Sequence, residues 1–322
     1  MTYRLDPFCP TSESVKKIAA AQIGDVIAKF GGEPLSVTAI HETRKALKRL
    51  RALLGLVRSG LPGEDLRRDR QRLRAIAHSL ADARDAHVMI ATAAALENEA
   101  MPRACQRAGR LLMKLLRQRE QAEGVFLGQG PLPVAALREA QAGLRALPMD
   151  GLSFADVLDG FTLVYRLGRR LTREIFQADT EDERFHDLRK QVQQHWRHLQ
   201  LVSNAWPKGM RPQIMLAREL SETLGRDHDI ALLAGLAREQ ESQGPGKRFD
   251  AYAEFCTGQQ KTLRRHAELL ARRLYAEKPK AVRRRIKVYW ETAAQAGRQA
   301  ERTQQAAAKA DAPPVQAMLS SA

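Results

Sequence analysis

The run His41-Glu42-Thr43-Arg44-Lys45-Ala46-Leu47-Lys48-Arg49-Leu50-Arg51-Ala52-Leu53-Leu54-Gly55-Leu56-Val57 decides how this chain folds and what it is built to meet. On a helical wheel Ala46, Leu47, Leu50, Leu53, Leu54 and Val57 fill an apolar arc of about 120°, opposed by a basic arc of about 160°. The basic arc carries His41 with Arg44, Lys45, Lys48, Arg49 and Arg51. Only Glu42, at its edge, supplies an opposite charge at helical spacing, so the cations repel one another almost uncompensated. A solvated face normally interleaves its signs. A one-signed face with an apolar back reads as a packed helix that presents its charge to an anion; a merely soluble face is the alternative.

The same texture runs outward in both directions. Ala, Leu, Arg, Gln and Glu dominate and β-branched runs are scarce, so the expected fold class is all-α. Breakers such as Gly31-Gly32-Glu33-Pro34, Gly128-Gln129-Gly130-Pro131, Trp206-Pro207-Lys208-Gly209 and Gly244-Pro245-Gly246 punctuate it. Helices are expected at 12–29, 36–59, 64–99, 102–123, 133–146, 153–177, 182–205, 211–241, 246–276 and 279–308. An internal repeat organises them. His41-Glu42-Thr43-Arg44-Lys45 returns 145 residues on as His186-Asp187-Leu188-Arg189-Lys190, and Arg84-Asp85 returns 142 residues on as Arg226-Asp227. Two motifs in one order at nearly one offset predict two similar helical halves related by a pseudo-two-fold, with any ligand groove between them. The expected boundaries are 1–147 and 148–290, followed at 291–322 by a helical extension that runs into a disordered tail.

Composition narrows the partners. Among 322 residues, 53 Lys and Arg face 37 Asp and Glu, a net charge of +16, while 44% hydrophobic residues suffice for a real core. Such an excess favours a polyanion: nucleic acid, anionic lipid or a phosphate polymer. Cys9, Cys105 and Cys256 are odd in number and form no CxxC pair, which argues against a disulfide framework or structural zinc and fits a reducing cytoplasm. No apolar run approaches the roughly 20 residues of a membrane span. The opening residues carry no apolar signal segment, so a cytoplasmic protein without membrane insertion is expected.

The second copy of the basic helix keeps Arg189, Lys190 and Arg197 on its polar side, while Gln193 and Gln194 stand where Lys48 and Arg49 stood. His195 and His198 are one turn apart, but no third ligand follows at a suitable spacing, so packing or hydrogen bonding is expected rather than a metal. Further rows step by three and four: Arg107, Arg110, Lys114 and Arg117; Arg67, Arg70, Arg74 and His78; Arg166, Arg169 and Arg173, with Tyr165 and Arg170 beside them. Several rows in both halves predict basic sides converging on one surface, where guanidinium forks can bind phosphate oxygens bidentately and Lys adds point charge. Arg84-Asp85 and Arg226-Asp227 read either as structural ion pairs or as arginines reaching the anion while the acids hold neighbouring cations. His41 and His186, one turn before their basic runs, either donate to phosphate when protonated or are neutral and structural.

These motifs together resemble the CHAD family, the conserved histidine α-helical domain. The resemblance rests on His41 to Arg51, on Leu80-Ala81-Asp82-Ala83-Arg84-Asp85-Ala86-His87-Val88, on Tyr165-Arg166-Leu167-Gly168-Arg169-Arg170, on Phe185 to Lys190 and on Leu224 to Asp229. It implies a bundle of two four-helix halves with a basic central groove, and the binding of inorganic polyphosphate, in some members on polyphosphate granules. By position it implies binding roles for His41, Arg44, Lys45, Lys48, Arg49, Arg51, Arg84, His186, Arg189, Lys190, Arg197 and Arg226, with Tyr165, Arg169 and Arg170 on the helix before the second motif. The CYTH signature that accompanies some members is not seen, since Glu97-Asn98-Glu99-Ala100-Met101 lacks its Lys. The expected function is therefore capture of polyphosphate, or another phosphate-rich polyanion, without catalysis, cofactor or metal. Nucleic acid is the alternative partner, disfavoured by an aromatic content of only 5%. A metal-dependent polyphosphatase built around Asp227-His228-Asp229 is the remaining one.

Overall fold

The structure, a computed structural model, describes residues 3–29, 37–80, 82–97, 101–127, 134–177, 182–242 and 249–310. Among them are eleven α-helices and no strand. These are α1 (Thr11–Lys29), α2 (Val37–Leu56), α3 (Gly63–Ser79), α4 (Asp82–Glu97), α5 (Arg103–Leu127), α6 (Val134–Ala146), α7 (Phe154–Ile175), α8 (Asp182–Leu201), α9 (Pro207–Ser242), α10 (Asp250–Leu274) and α11 (Pro279–Ala310). The helix expected at 64–99 is two helices. No Gly or Pro marks the break after Leu80, so tertiary packing rather than a local breaker sets it. The helix expected from 211 begins at Pro207 instead, because the ring's fixed φ and missing N–H suit the first position of a helix. The C-terminal extension stays helical to Ala310, and the expected tail at 311–322 lies outside the described residues.

The repeat is visible in the elements. Helices α2 and α8 are both 20 residues long, begin 145 positions apart at Val37 and Asp182, and each leads into a 3-10 turn, at Arg58–Gly60 and Ser203–Ala205. Helices α5 and α10 both run for 25 residues, starting at Arg103 and Asp250. The broken pair α3 and α4 has the continuous α9 as its counterpart. Matching elements touch: α2 packs on α8, α4 on α9, and α5 on α10.

Packing does not follow the sequence boundary. The larger core joins α1, α2, α3 and α6 to α7, α8, the first part of α9, the end of α10 and α11. The smaller joins α4 and α5 to the rest of α9 and the start of α10, around Leu96, Leu112, Leu233 and Tyr252. All six apolar positions read on the α2 wheel are buried. Burying side chains of this size stabilises the fold by about 1.5–3 kcal/mol each. Where α2 crosses α7, Gly160 lies so close to the Leu56 carbonyl that a Cβ would overlap it. From α8, the fully buried His198 meets the Ala52 carbonyl of α2 through Nε2 at 3.0 Å. His195, one turn earlier, is packed edge-on to Phe161 and Tyr165.

Candidate phosphate-binding cleft

Helices α2 and α8 bring their polar sides to a cleft of about 530 Å³, closed by α3, α4 and α9. Arg44, Lys48 and Arg51 line it from α2, Arg74 from α3, and Arg189, Lys190 and Arg197 from α8. His186 and His228 stand at one side with ring centroids 4.5 Å apart. Gln193 and Gln194 also line the cleft, as do the apolar Val88, Met89 and Leu232. Asp229 is its one acidic lining residue among those described.

The charges are crowded. Burial, then the neighbouring Arg74 and Arg70, lower the pKa of Arg51; burial, then Arg58 and Arg74, do the same to Arg70. Arg197 is 9% exposed; burial lowers its pKa, and Arg49 and Arg51 add to that against the opposing influence of Tyr3. Its guanidinium lies 5.4 Å from the Trp196 ring centre and donates to the Gln193 carbonyl at 2.9 Å. Arg44 donates to the Ala77 carbonyl at 2.8 Å, which ties α2 to the end of α3. Burial, then Arg189, push His228 down to about 4. Burial, then Lys190 and Arg189, lower His186 as well, so both rings are neutral near pH 7. Lys190 pairs with Asp187 at 3.0 Å, but both are about half exposed, and such a pair is worth little. The arrangement is a converging set of donors whose mutual repulsion an anion would relieve.

A family model described as the CHAD domain matches residues 31–238. The chain belongs to the CHAD family. That family is associated with polyphosphate. Among solved structures, this CHAD protein is similar to PptA from Streptomyces chartreusis, at 19% identity and a TM-score of 0.59, over 83% of this chain and 98% of that one. It is also similar to the CHAD domain from the plant Ricinus communis, at 17% identity and a TM-score of 0.53, over 88% of this chain and 94% of that one. At these identities the likeness concerns the fold. No curated protein matches the chain. Among the described residues no helix is long and apolar enough to cross a membrane.

The CHAD cleft gathers Arg44, Lys48, Arg51, His186, Arg189, Lys190 and Arg197 of the residues picked from sequence. The others whose side chains are described lie elsewhere. His41 is exposed on α2 and does not line the cleft. Lys45 is 3.4 Å from Glu42. Arg49 turns to the N-terminal segment, 5.3 Å from the centre of the Tyr3 ring, and Tyr3 donates its hydroxyl to the Arg49 carbonyl at 2.8 Å. Tyr165 is buried and donates to the Glu277 carbonyl at 3.0 Å; burial, then Glu277, raise its pKa to about 12. Arg169 donates to the Tyr275 carbonyl at 3.1 Å, so these two side chains hold the turn between α10 and α11. Arg170 lies 3.7 Å from Glu174. Arg107, Arg110, Lys114 and Arg117 are exposed on α5, the last three beside a separate groove, and Arg226 is exposed on α9. The Arg84 side chain lies outside the described residues.

Sequence reasoning gave no binding role to Arg74, one of a row, or to His228 and Asp229, read only as part of an acidic cluster, and treated Gln193 and Gln194 as departures although both line the cleft. Arg74 belonged to one row among several, and nothing local distinguished it. Asp227 is 5% exposed at its side chain and pairs at 2.9 Å with Arg264 of α10, so it holds a distant cation in place. Burial raises its pKa and Arg264 opposes the rise.

Proposed function

We propose that this CHAD protein binds inorganic polyphosphate in the cleft between α2 and α8 and does not cleave it. The strongly basic lining carries the reading: among the described residues, seven cations from three helices stand against Asp229 alone. Arg51 and Arg74 have no ion-pair partner among the described residues. Guanidinium groups take phosphate oxygens in pairs, Lys48 and Lys190 add compact charge, and the amides of Gln193 and Gln194 donate without adding charge. Such binding weakens steeply with salt and strengthens with chain length until the cleft is filled.

Two features support holding over hydrolysis or base recognition. Metal-assisted phosphoryl transfer uses clustered carboxylates, and among the described residues the cleft presents one. Nucleic-acid grooves stack bases on aromatic rings, and no Phe, Tyr or Trp lines this cleft among the described residues. We further propose that the protein is cytoplasmic and accompanies polyphosphate granules. Titrating the protein with long polyphosphate, short polyphosphate and single-stranded DNA at one salt concentration tests the assignment. The long phosphate chain is expected to bind tightest; equal or tighter DNA binding overturns polyphosphate as the partner. Orthophosphate release on adding Mg²⁺ or Mn²⁺ overturns the non-catalytic part.

A further inference from the structure

A second groove, of about 450 Å³, opens between the end of α7, the start of α8, α9 and α10. Its charged lining is mixed: Arg238, Lys261, Arg264 and Arg265 against Asp182 and Glu268. Glu268 is engaged by Arg272 at 2.7 Å, whereas Lys261 and Arg265 are exposed and have no ion-pair partner among the described residues. Arg264 is the built element. Its side chain is 20% exposed, and its guanidinium lies 4.1 Å from the centre of the Phe185 ring. Nε donates to Asp227 at 2.9 Å and Nη2 to Asp182, which leaves Nη1 without a protein partner among the described residues. Ile175 and Phe176 line the groove beside Phe185, so cations at its edge adjoin an apolar back.

The repeat supplies an independent observation. A shallower groove of about 370 Å³ is lined on α5 by Arg110, Met113, Lys114, Arg117, Gln118 and Gln121. The six residues 147 places later, Thr257 to Glu268 on α10, line the α9–α10 groove in the same order. Four of the six positions changed, yet both copies keep a Lys and an Arg one turn apart, as Lys114 with Arg117 and Lys261 with Arg264. Among the described residues, Arg265 and an aromatic wall line the second groove and not the first.

We propose that the α9–α10 groove is a second anion site, for a ligand that joins a short phosphate group to an apolar or planar body, the nucleotide class. Lys261, Arg265 and the open Nη1 edge of Arg264 take the phosphates, and Phe176 takes the body. Four cations against two acids suit a ligand of a few charges, while a bare phosphate polymer has no use for the phenylalanine wall and fits the one-signed central cleft better. This site stands apart from the central cleft, so it survives or falls independently of polyphosphate binding.

The test titrates a fluorescent N-methylanthraniloyl ATP into the full chain, without added metal, and displaces it with ATP or tripolyphosphate. Lys261→Gln with Arg265→Gln is expected to weaken nucleotide binding about tenfold or more, the loss of two charge-assisted contacts. Arg51→Gln with Arg74→Gln, in the central cleft, is expected to leave it within about twofold. Lys261 and Arg265 are exposed, so the first pair does not endanger the fold. Nucleotide binding that follows the Arg51 and Arg74 pair and ignores Lys261 and Arg265 overturns the site. Absence of saturable binding also overturns it. Displacement by tripolyphosphate as effective as by ATP overturns the ligand class.

Discussion

Helices α2 and α8 carry the two copies of one motif, yet they bring charge to the cleft from partly different positions. Arg44 and its counterpart Arg189, 145 residues on, both line it. Lys48 with Gln193 and Ala52 with Arg197 also correspond in place but not in charge, and Arg51 is matched by Trp196, which does not line the cleft. Lys45 stands beside Glu42 whereas Lys190 lines the cleft, and His41 is exposed whereas His186 faces His228. Each helix still delivers three cations. The helices also differ in depth: α8 buries His195, Arg197 and His198, while none of the basic side chains of α2 is buried. Packing therefore selects the cleft lining from a repeated motif. The more exposed α2 wall carries charge, and the α8 wall carries charge and core together.

The largest effect expected is on the exposed wall. Arg51→Glu with Arg74→Glu reverses two charges that repel each other, and polyphosphate affinity should fall by about 100-fold or more. Arg298→Ala with Arg302→Ala removes two exposed cations from α11 and should change affinity by less than about twofold. Similar losses from both pairs, measured by calorimetry at one salt concentration, would mean that the protein binds through diffuse charge and that the cleft has no special standing.

The buried wall should show itself in acid. Burial holds His195 down to about 3 and His198 down to about 4, while an unfolded chain keeps them near 6.5. Below about 6.5 the unfolded state takes up protons that the folded state refuses, so stability falls with pH, by up to about 1.4 kcal/mol per unit for each ring. The loss stops growing for each ring once pH drops beneath its folded value. Urea unfolding at pH 7 and pH 5 checks the slope, and His195→Leu should flatten it, since an apolar side chain suits the ring cluster of Phe161, Tyr165 and Tyr275. An unchanged slope in that variant would place the acid lability elsewhere.

Much of this was legible in the sequence because periodicity defines a face. The six apolar positions of the α2 wheel are all buried, and three cations of its basic arc line the cleft. What periodicity lacks is the partner of a face. The α5 row repeats at the same spacing as the α2 arc, yet it borders a different groove because α5 packs with α4 and α10. Tyr165 and Arg169 were legible as a motif, but their polar atoms are taken by the backbone of the α10–α11 turn. The break between α3 and α4 was hidden, since no local breaker marks it, whereas α9 runs unbroken over the expected 211–241 and differs only in starting at Pro207.

The smallest effect separates the histidines of the cleft from His41. His186 and His228 have lowered pKa values, set first by burial and then by neighbouring positive charge, Lys190 and Arg189 for His186 and chiefly Arg189 for His228. A bound polyanion opposes both influences of charge and raises the values, so binding takes up protons. Affinity should then increase as pH falls from 8 to 6, by about threefold to tenfold, and level off only near the free value of His228, about 4. Long chains are needed for the measurement, because a terminal phosphate titrates near pH 6 and would weaken short chains over the same range. Calorimetry in two buffers of different ionisation enthalpy counts the protons directly. His228→Ala should reduce the uptake, whereas His41→Ala, on an exposed position outside the cleft, should leave it unchanged. If the His41 variant lost the pH dependence and the His228 variant kept it, the conserved order of the two copies, rather than their packing, would govern which ring meets phosphate.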